Sequence, residues 1–141
     1  MYDSNVTQHE ALRVLIYSDD RDVRETVMTA LGARPHPDLP PLEYVEVATE
    51  PVFWQHLDET RDRPDLVILD GETVPAGGLG VARQMKDEIF QAPPALVITG
   101  RPQDAWLATW SRADAAVSHP IEPQRLAEAV IGLARGVLAT A

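Results

Sequence analysis

Five alternations of a short apolar run with a longer amphipathic one predict an α/β fold, a doubly wound sandwich around a five-stranded parallel sheet. Three observations carry this. The stretches 12–17, 44–48, 65–69, 95–98 and 115–117 are short and dominated by Val, Ile, Leu and Ala, the composition of strands covered on both faces. Between them lie segments with apolar residues three and four apart, the helical spacing. Several of the strands stop on oxygen-bearing side chains: the first runs into Ser18-Asp19-Asp20, the third into Asp70, the fourth into Thr99. At 141 residues the chain supports one core, and five units fall short of the about eight that close a barrel.

Each element has its own signal. Residues 1–11 read as an N-terminal tail, 12–136 as the folded domain and 137–141 as a C-terminal tail. After the first strand, Asp19 or Asp20 caps a helix over 22–31, with Val23, Val27, Ala30 and Leu31 as its apolar stripe and Gly32 as its stop. Four prolines between 34 and 41 make a loop. A second strand covers 44–48, and a helix starts near Pro51 with Val52, Phe53, His56 and Leu57 at helical spacing. Adjacent Phe53 and Trp54 point apart, which leaves one of them exposed or under the proline-rich loop. The third strand, 65–69, ends on Asp70. A turn with Gly71, Gly77, Gly78 and Gly80 follows, then a helix over 79–90 with Leu79, Ala82, Met85 and Ile89 on one face. The fourth strand reaches Thr99. A helix over 103–112 carries Trp106 and Trp110 on one face, either as core packing or as an interaction surface. After a fifth strand, the last helix runs from Pro123 to near Gly136, with Leu126, Val130, Leu133 and Ala134 facing inward.

Right-handed crossovers place the helices on both faces of such a sheet. In the flavodoxin-like strand order 2-1-3-4-5, the first and third strands are neighbours, and ligands bind beyond their carboxyl ends. That order brings Asp19 beside Asp70, with Thr99 next along. A lone Asp at a strand end is ordinarily a loop cap. Three oxygen-bearing groups converging on one edge make a site.

Composition narrows the chemistry. The formal charge of −10 repels nucleic-acid phosphates, and no basic cluster offsets it, since Arg21 and Arg24 interleave with Asp20, Asp22 and Glu25. An acidic cleft for a divalent cation is the sharper reading of a few of these charges. The absence of cysteine excludes disulfides and thiolate metal sites. No apolar run nears the about 20 residues that span a bilayer, and Met1-Tyr2-Asp3-Ser4-Asn5 lacks the plan of a signal peptide. The expectation is a cytoplasmic protein without membrane contact. His9, His36 and His56 have no partner at metal-ligand spacing.

Five short motifs then stand in order: Ser18-Asp19 after the first strand, Asp70 after the third, Gly78-Leu79 in the loop that follows, Thr99 after the fourth, and His119-Pro120 after the fifth. With these, the stretch from Leu12 to Leu133 resembles the receiver domain of bacterial two-component response regulators. The resemblance implies that Asp70 accepts a phosphoryl group with Mg²⁺. Asp19 and Asp70 would supply carboxylate oxygens to the cation, the backbone carbonyl of Glu72 a third ligand, and Ser18 a weak contact through water. Thr99 would hydrogen-bond a phosphoryl oxygen, Gly100 would leave room for it, and His119 would approach it from the family's lysine position. The peptide bond before Pro120 is expected to be cis. Because the chain stops near Ala141, the resemblance implies a stand-alone receiver, with no enzymatic activity beyond its own phosphorylation and dephosphorylation. Its partners would be a histidine kinase or phosphotransfer protein, a downstream protein target, and a second copy through the 103–136 face.

Four positions depart from the family pattern. Ser18 replaces the usual first acid and loses a charge. His119 replaces a lysine, with shorter reach. The loop proline falls at Pro75, one place late. Ala116 replaces the aromatic residue that turns inward after phosphorylation. Two readings follow: an atypical but phosphorylatable receiver, or a pseudo-receiver that serves as a phosphorylation-independent interaction module. A phosphatase of the haloacid dehalogenase type also uses a strand-end Asp, but needs a second Asp where Glu72 stands and a late lysine, and Lys86 is the only lysine. No G-x-G-x-x-G follows a strand to bind a dinucleotide.

Overall fold

The structure, a computed structural model, describes residues 10–58 and 61–140. Most of the expected N-terminal tail, positions 1–9, lies outside the described residues, as does Ala141. Five strands form one sheet: β1 (Leu12–Tyr17), β2 (Leu42–Val47), β3 (Leu66–Asp70), β4 (Ala95–Thr99) and β5 (Ala115–Ser118). All pair in parallel, in the order β2-β1-β3-β4-β5 expected from the sequence. The helices are α1 (Arg21–Leu31), α2 (Glu50–Asp58), α3 (Gly78–Glu88), α4 (Trp106–Trp110) and α5 (Pro123–Thr140).

The period-two alternation of strand side chains splits the core into two layers. Leu12, Val14, Ile16, Leu66, Ile68, Leu96 and Ile98 meet Val27 and Leu31 of α1 and Leu126, Val130 and Ala134 of α5. On the other face Leu15, Tyr17, Val67, Leu69 and Val97 meet Phe53 and Leu57 of α2 and Val81, Ala82 and Met85 of α3. Phe53 is fully buried and stacks edge-on against Tyr17, with centroids 5.6 Å apart. Its neighbour Trp54 is half-buried, packs against the same layer and bonds through Nε1 to Glu50.

Several boundaries moved for identifiable reasons. The last helix does not stop near Gly136 but continues to Thr140, so 137–140, expected as tail, are helical. Val137 and Leu138 pack against the core there, and that contact outweighs the weak helix preference of one glycine. The helix expected over 103–112 divides into a 3₁₀ turn, Pro102–Asp104, and the five-residue α4. Helix α3 ends at Glu88, because Ile89 is extended and Gln91 takes φ of 51°. Trp106 and Trp110 do not pack in the core: they are 67% and 46% exposed, and Arg83 lies over the Trp110 ring.

Tyr44 of β2 donates its hydroxyl to the carbonyl of Gly32, the φ 65° residue that closes α1. Burial pushes its pKa up to about 12. The folded state therefore holds this proton where the unfolded chain, near pH 10, releases it. The Tyr44 contribution is fully present below pH 10 and is lost as pH rises from 10 through about 12. Urea titrations across this range should show falling stability in the native chain and a shallower fall in Tyr44→Phe. Equal slopes would remove Tyr44 as the source.

Candidate functional site at the carboxyl edge of the sheet

Asp70 is the last residue of β3, paired with Ile98 of β4, and only 2% of it is exposed. A buried carboxylate needs donors, and both of its oxygens have them. Oδ2 accepts from Ser18 Oγ at 2.7 Å. Oδ1 accepts from the Glu72 backbone N–H at 3.0 Å and lies 3.2 Å from His119 Nε2. The adjacency of β1 and β3 sets the first contact and the turn after Asp70 the second. The third comes from β5, whose end is aligned by the Thr99–Ser118 register and the His119 N–H bond to Thr99 O. The His119–Pro120 bond is cis, as the resemblance implied, and so is Val74–Pro75.

Asp19 reaches the same loop. Its backbone N–H donates to Thr73 Oγ1 at 3.3 Å, and its Oδ2 accepts from Val74 N–H at 3.4 Å. Asp20 turns away and caps α1, accepting from Asp22 N–H at 2.8 Å. Two strand-end carboxylates thus each hold a backbone N–H of the 71–74 loop. Among the described residues no three His, Asp or Glu side chains close on one point.

This donor set fits Mg²⁺, which takes one or two carboxylates and keeps several waters. Asp19, Asp70 and the Glu72 carbonyl are the hard oxygens that would hold it, and the cation would offset charge on a phosphoryl group. Thr99, 2% exposed, shares its hydroxyl hydrogen between two long contacts, Arg101 O at 3.3 Å and Val117 O at 3.4 Å. Gly100 differs from expectation. A Cβ added there would lie 2.7 Å from Glu72 Oε1, so the space beside it is filled by the Glu72 carboxylate. Asp104, bonded to Arg101, raises the Arg101 pKa most, and the Glu72 carboxylate adds a smaller push in the same direction.

Three supporting residues escaped the sequence reading. Thr73 ties the loop to Asp19. Arg24 donates to Ser18 O at 2.7 Å, and its Nε to Glu46 at 3.1 Å. Tyr17 donates to Ala76 O at 2.7 Å and anchors the loop's far end. Its pKa is raised by burial first, then by Glu50 and Asp19. The Thr73, Glu46 and Ala76 contacts join groups 22 to 59 positions apart, and only the Arg24–Ser18 bond, six positions apart, is local.

Gly78, which opens α3, is required by proximity. An added Cβ would sit 2.7 Å from Asp70 O and 2.8 Å from Leu69 C, both backbone atoms. Gly78→Ala should push α3 off β3 and cost about 1–3 kcal/mol, read as a lower urea midpoint; an unchanged midpoint would show that the helix start yields freely.

No family model matches the chain. Two curated response regulatory proteins of Mycobacterium tuberculosis, from strains CDC 1551 and H37Rv, are 58% identical over 125 residues, covering 89% of this chain and 92% of theirs. The chain belongs to the response regulators. Solved structures agree on the fold of this receiver. A response regulator receiver domain protein from Clostridium thermocellum superposes with a TM-score of 0.72 at 18% identity, covering 92% of this chain and 99% of that one. A LuxR-family response regulator from Aurantimonas gives 0.70 at 22% identity, covering 89% and 86%. The response regulator is thus a receiver of two-component signalling, with Asp70 at the end of its central strand. Among its described residues no helix is long and apolar enough to cross a membrane.

Proposed function

We propose that this receiver accepts a phosphoryl group on Asp70 and signals through protein contacts. The observation that carries the reading is the buried Asp70 carboxylate, held between Ser18 Oγ, Glu72 N–H and His119 Nε2. In the reaction an Asp70 oxygen attacks the phosphorus of a phosphohistidine on a histidine kinase or phosphotransfer protein. The P–O bond forms as the P–N bond breaks, and the departing imidazole nitrogen keeps the electron pair and takes up a proton. Charge on the transferring group must be neutralised, which Mg²⁺ held by Asp19, Asp70 and the Glu72 carbonyl would supply. Thr99 gives up its two long carbonyl contacts for a phosphoryl oxygen, and His119 swings from Asp70 to the phosphate. The chain does no other catalysis in this reading. Its output is docking on a downstream protein in the cytoplasm, or on a second copy through the 103–136 face where Trp106 and Trp110 are exposed, since aromatic side chains anchor interfaces.

One observation favours the pseudo-receiver alternative: both oxygens of Asp70 have donors within the chain, which satisfies the buried carboxylate. Incubation with acetyl phosphate and Mg²⁺, read by intact mass, separates the two. A phosphate adduct is expected. Absence of an adduct with either the small donor or a kinase, together with no Mg²⁺ binding, leaves the interaction module.

A further inference from the structure

The resemblance gives Ser18 a weak metal contact. The hydrogen bonds point elsewhere. Ser18 is fully buried, and its backbone is pinned on both sides: N–H to Val47 O at 3.0 Å, and O from Arg24 Nη1 at 2.7 Å. Its hydroxyl oxygen accepts from Asp20 N–H at 3.1 Å. A hydroxyl has one hydrogen to give. Two acceptors lie in range, Asp70 Oδ2 at 2.7 Å and Asp20 O at 3.4 Å. The shorter contact is to an ionised group, and charge-assisted bonds are roughly twice as strong as neutral ones. The hydrogen therefore goes to Asp70.

From this we infer that Ser18 is a positioning residue for Asp70 rather than a ligand of the cation; the inference rests on the phospho-acceptor reading. An acid at this place would set a second negative charge beside Asp70, which a cation or a shared proton must offset. A serine instead attracts the carboxylate and fixes its rotation. Oδ2 is held by Ser18, and Oδ1 stays toward Glu72 N–H and His119. Asp70 is thereby oriented before any cation or donor arrives, which is where positioning gains rate.

The two roles separate in one experiment on the full chain. Adduct formation from acetyl phosphate is followed by intact mass as a function of Mg²⁺, and Mg²⁺ affinity is measured alone by calorimetry. Ser18→Ala is expected to lower the maximal rate several-fold, while the half-saturating Mg²⁺ concentration and the calorimetric affinity stay within twofold. Ser18→Thr keeps the hydroxyl and is expected to recover most of the rate. A several-fold loss of Mg²⁺ affinity in Ser18→Ala with the maximal rate intact would overturn the inference and make Ser18 a cation ligand. An unchanged rate and affinity would overturn it too. Should Ser18→Ala fail to fold, the Thr variant with native rate and affinity supports the hydroxyl's role, and a Thr variant that folds but reacts slowly refutes it. A wild-type chain that forms no adduct removes the phospho-acceptor reading and this one with it, whereas adduct on the wild type with an indifferent Ser18→Ala removes only the role of Ser18.

Discussion

Asp70→Asn is expected to take the phosphate adduct to the detection floor while leaving the fold in place. The substitution is isosteric. The Asn carbonyl still accepts from Glu72 N–H, and its NH₂ faces Ser18 Oγ, which rotates to accept where it had donated. Stability changes by no more than about 3 kcal/mol, the upper scale of one exchanged charge-assisted bond. The nucleophile itself is gone, because a neutral amide has no ionised oxygen to attack phosphorus. Intact mass reads the adduct and urea unfolding reads the fold, so lost chemistry is distinguished from lost structure. An adduct persisting in Asp70→Asn would move the acceptor to another acid, with Asp19, which holds Val74 N–H of the same loop, the first to test.

Phe53→Ala is the largest stability effect expected, a loss of about 3–5 kcal/mol. Phe53 is 0% exposed at the centre of the α2 layer, edge-on to both Tyr17 and Trp54 at 5.6 and 4.9 Å. Neither ring can follow into the gap: Tyr17 is tied through its hydroxyl to Ala76 O, and Trp54 through Nε1 to Glu50. A gap that cannot collapse keeps its full cavity cost. The loss is read from the urea midpoint, and a change below about 1 kcal/mol would mean that α2 contributes little to the packed layer. Because Tyr17 holds the far end of the loop after Asp70, the same variant should also slow phosphorylation.

The parts of this protein legible in its sequence are those written locally. The apolar runs named the strands, the helical stripes named the helices, and Gly32 and Asp20 marked the ends of α1 through backbone freedom and capping. Asp70 and Thr99 are legible because each ends a strand and the parallel order brings strand ends together, whereas His119 comes only with the family resemblance. The boundaries that slipped did so where nonlocal packing decides: 137–140 are helical because Val137 and Leu138 find the core, and the 103–112 segment breaks into a turn and a short helix.

By itself, then, the sequence determined the alternation and the strand-end acids, because periodicity and turn chemistry report burial residue by residue, while the sheet order came from likeness to the flavodoxin-like fold. Only the tertiary structure decided where the Ser18 hydrogen goes, that Glu72 fills the space beside Gly100, and that Trp106 and Trp110 face outward. The physical reason is range. Ser18 and Asp70 lie 52 positions apart, and a hydrogen bond between them is set by the seating of β1 against β3 within tenths of an ångström, which no local pattern encodes.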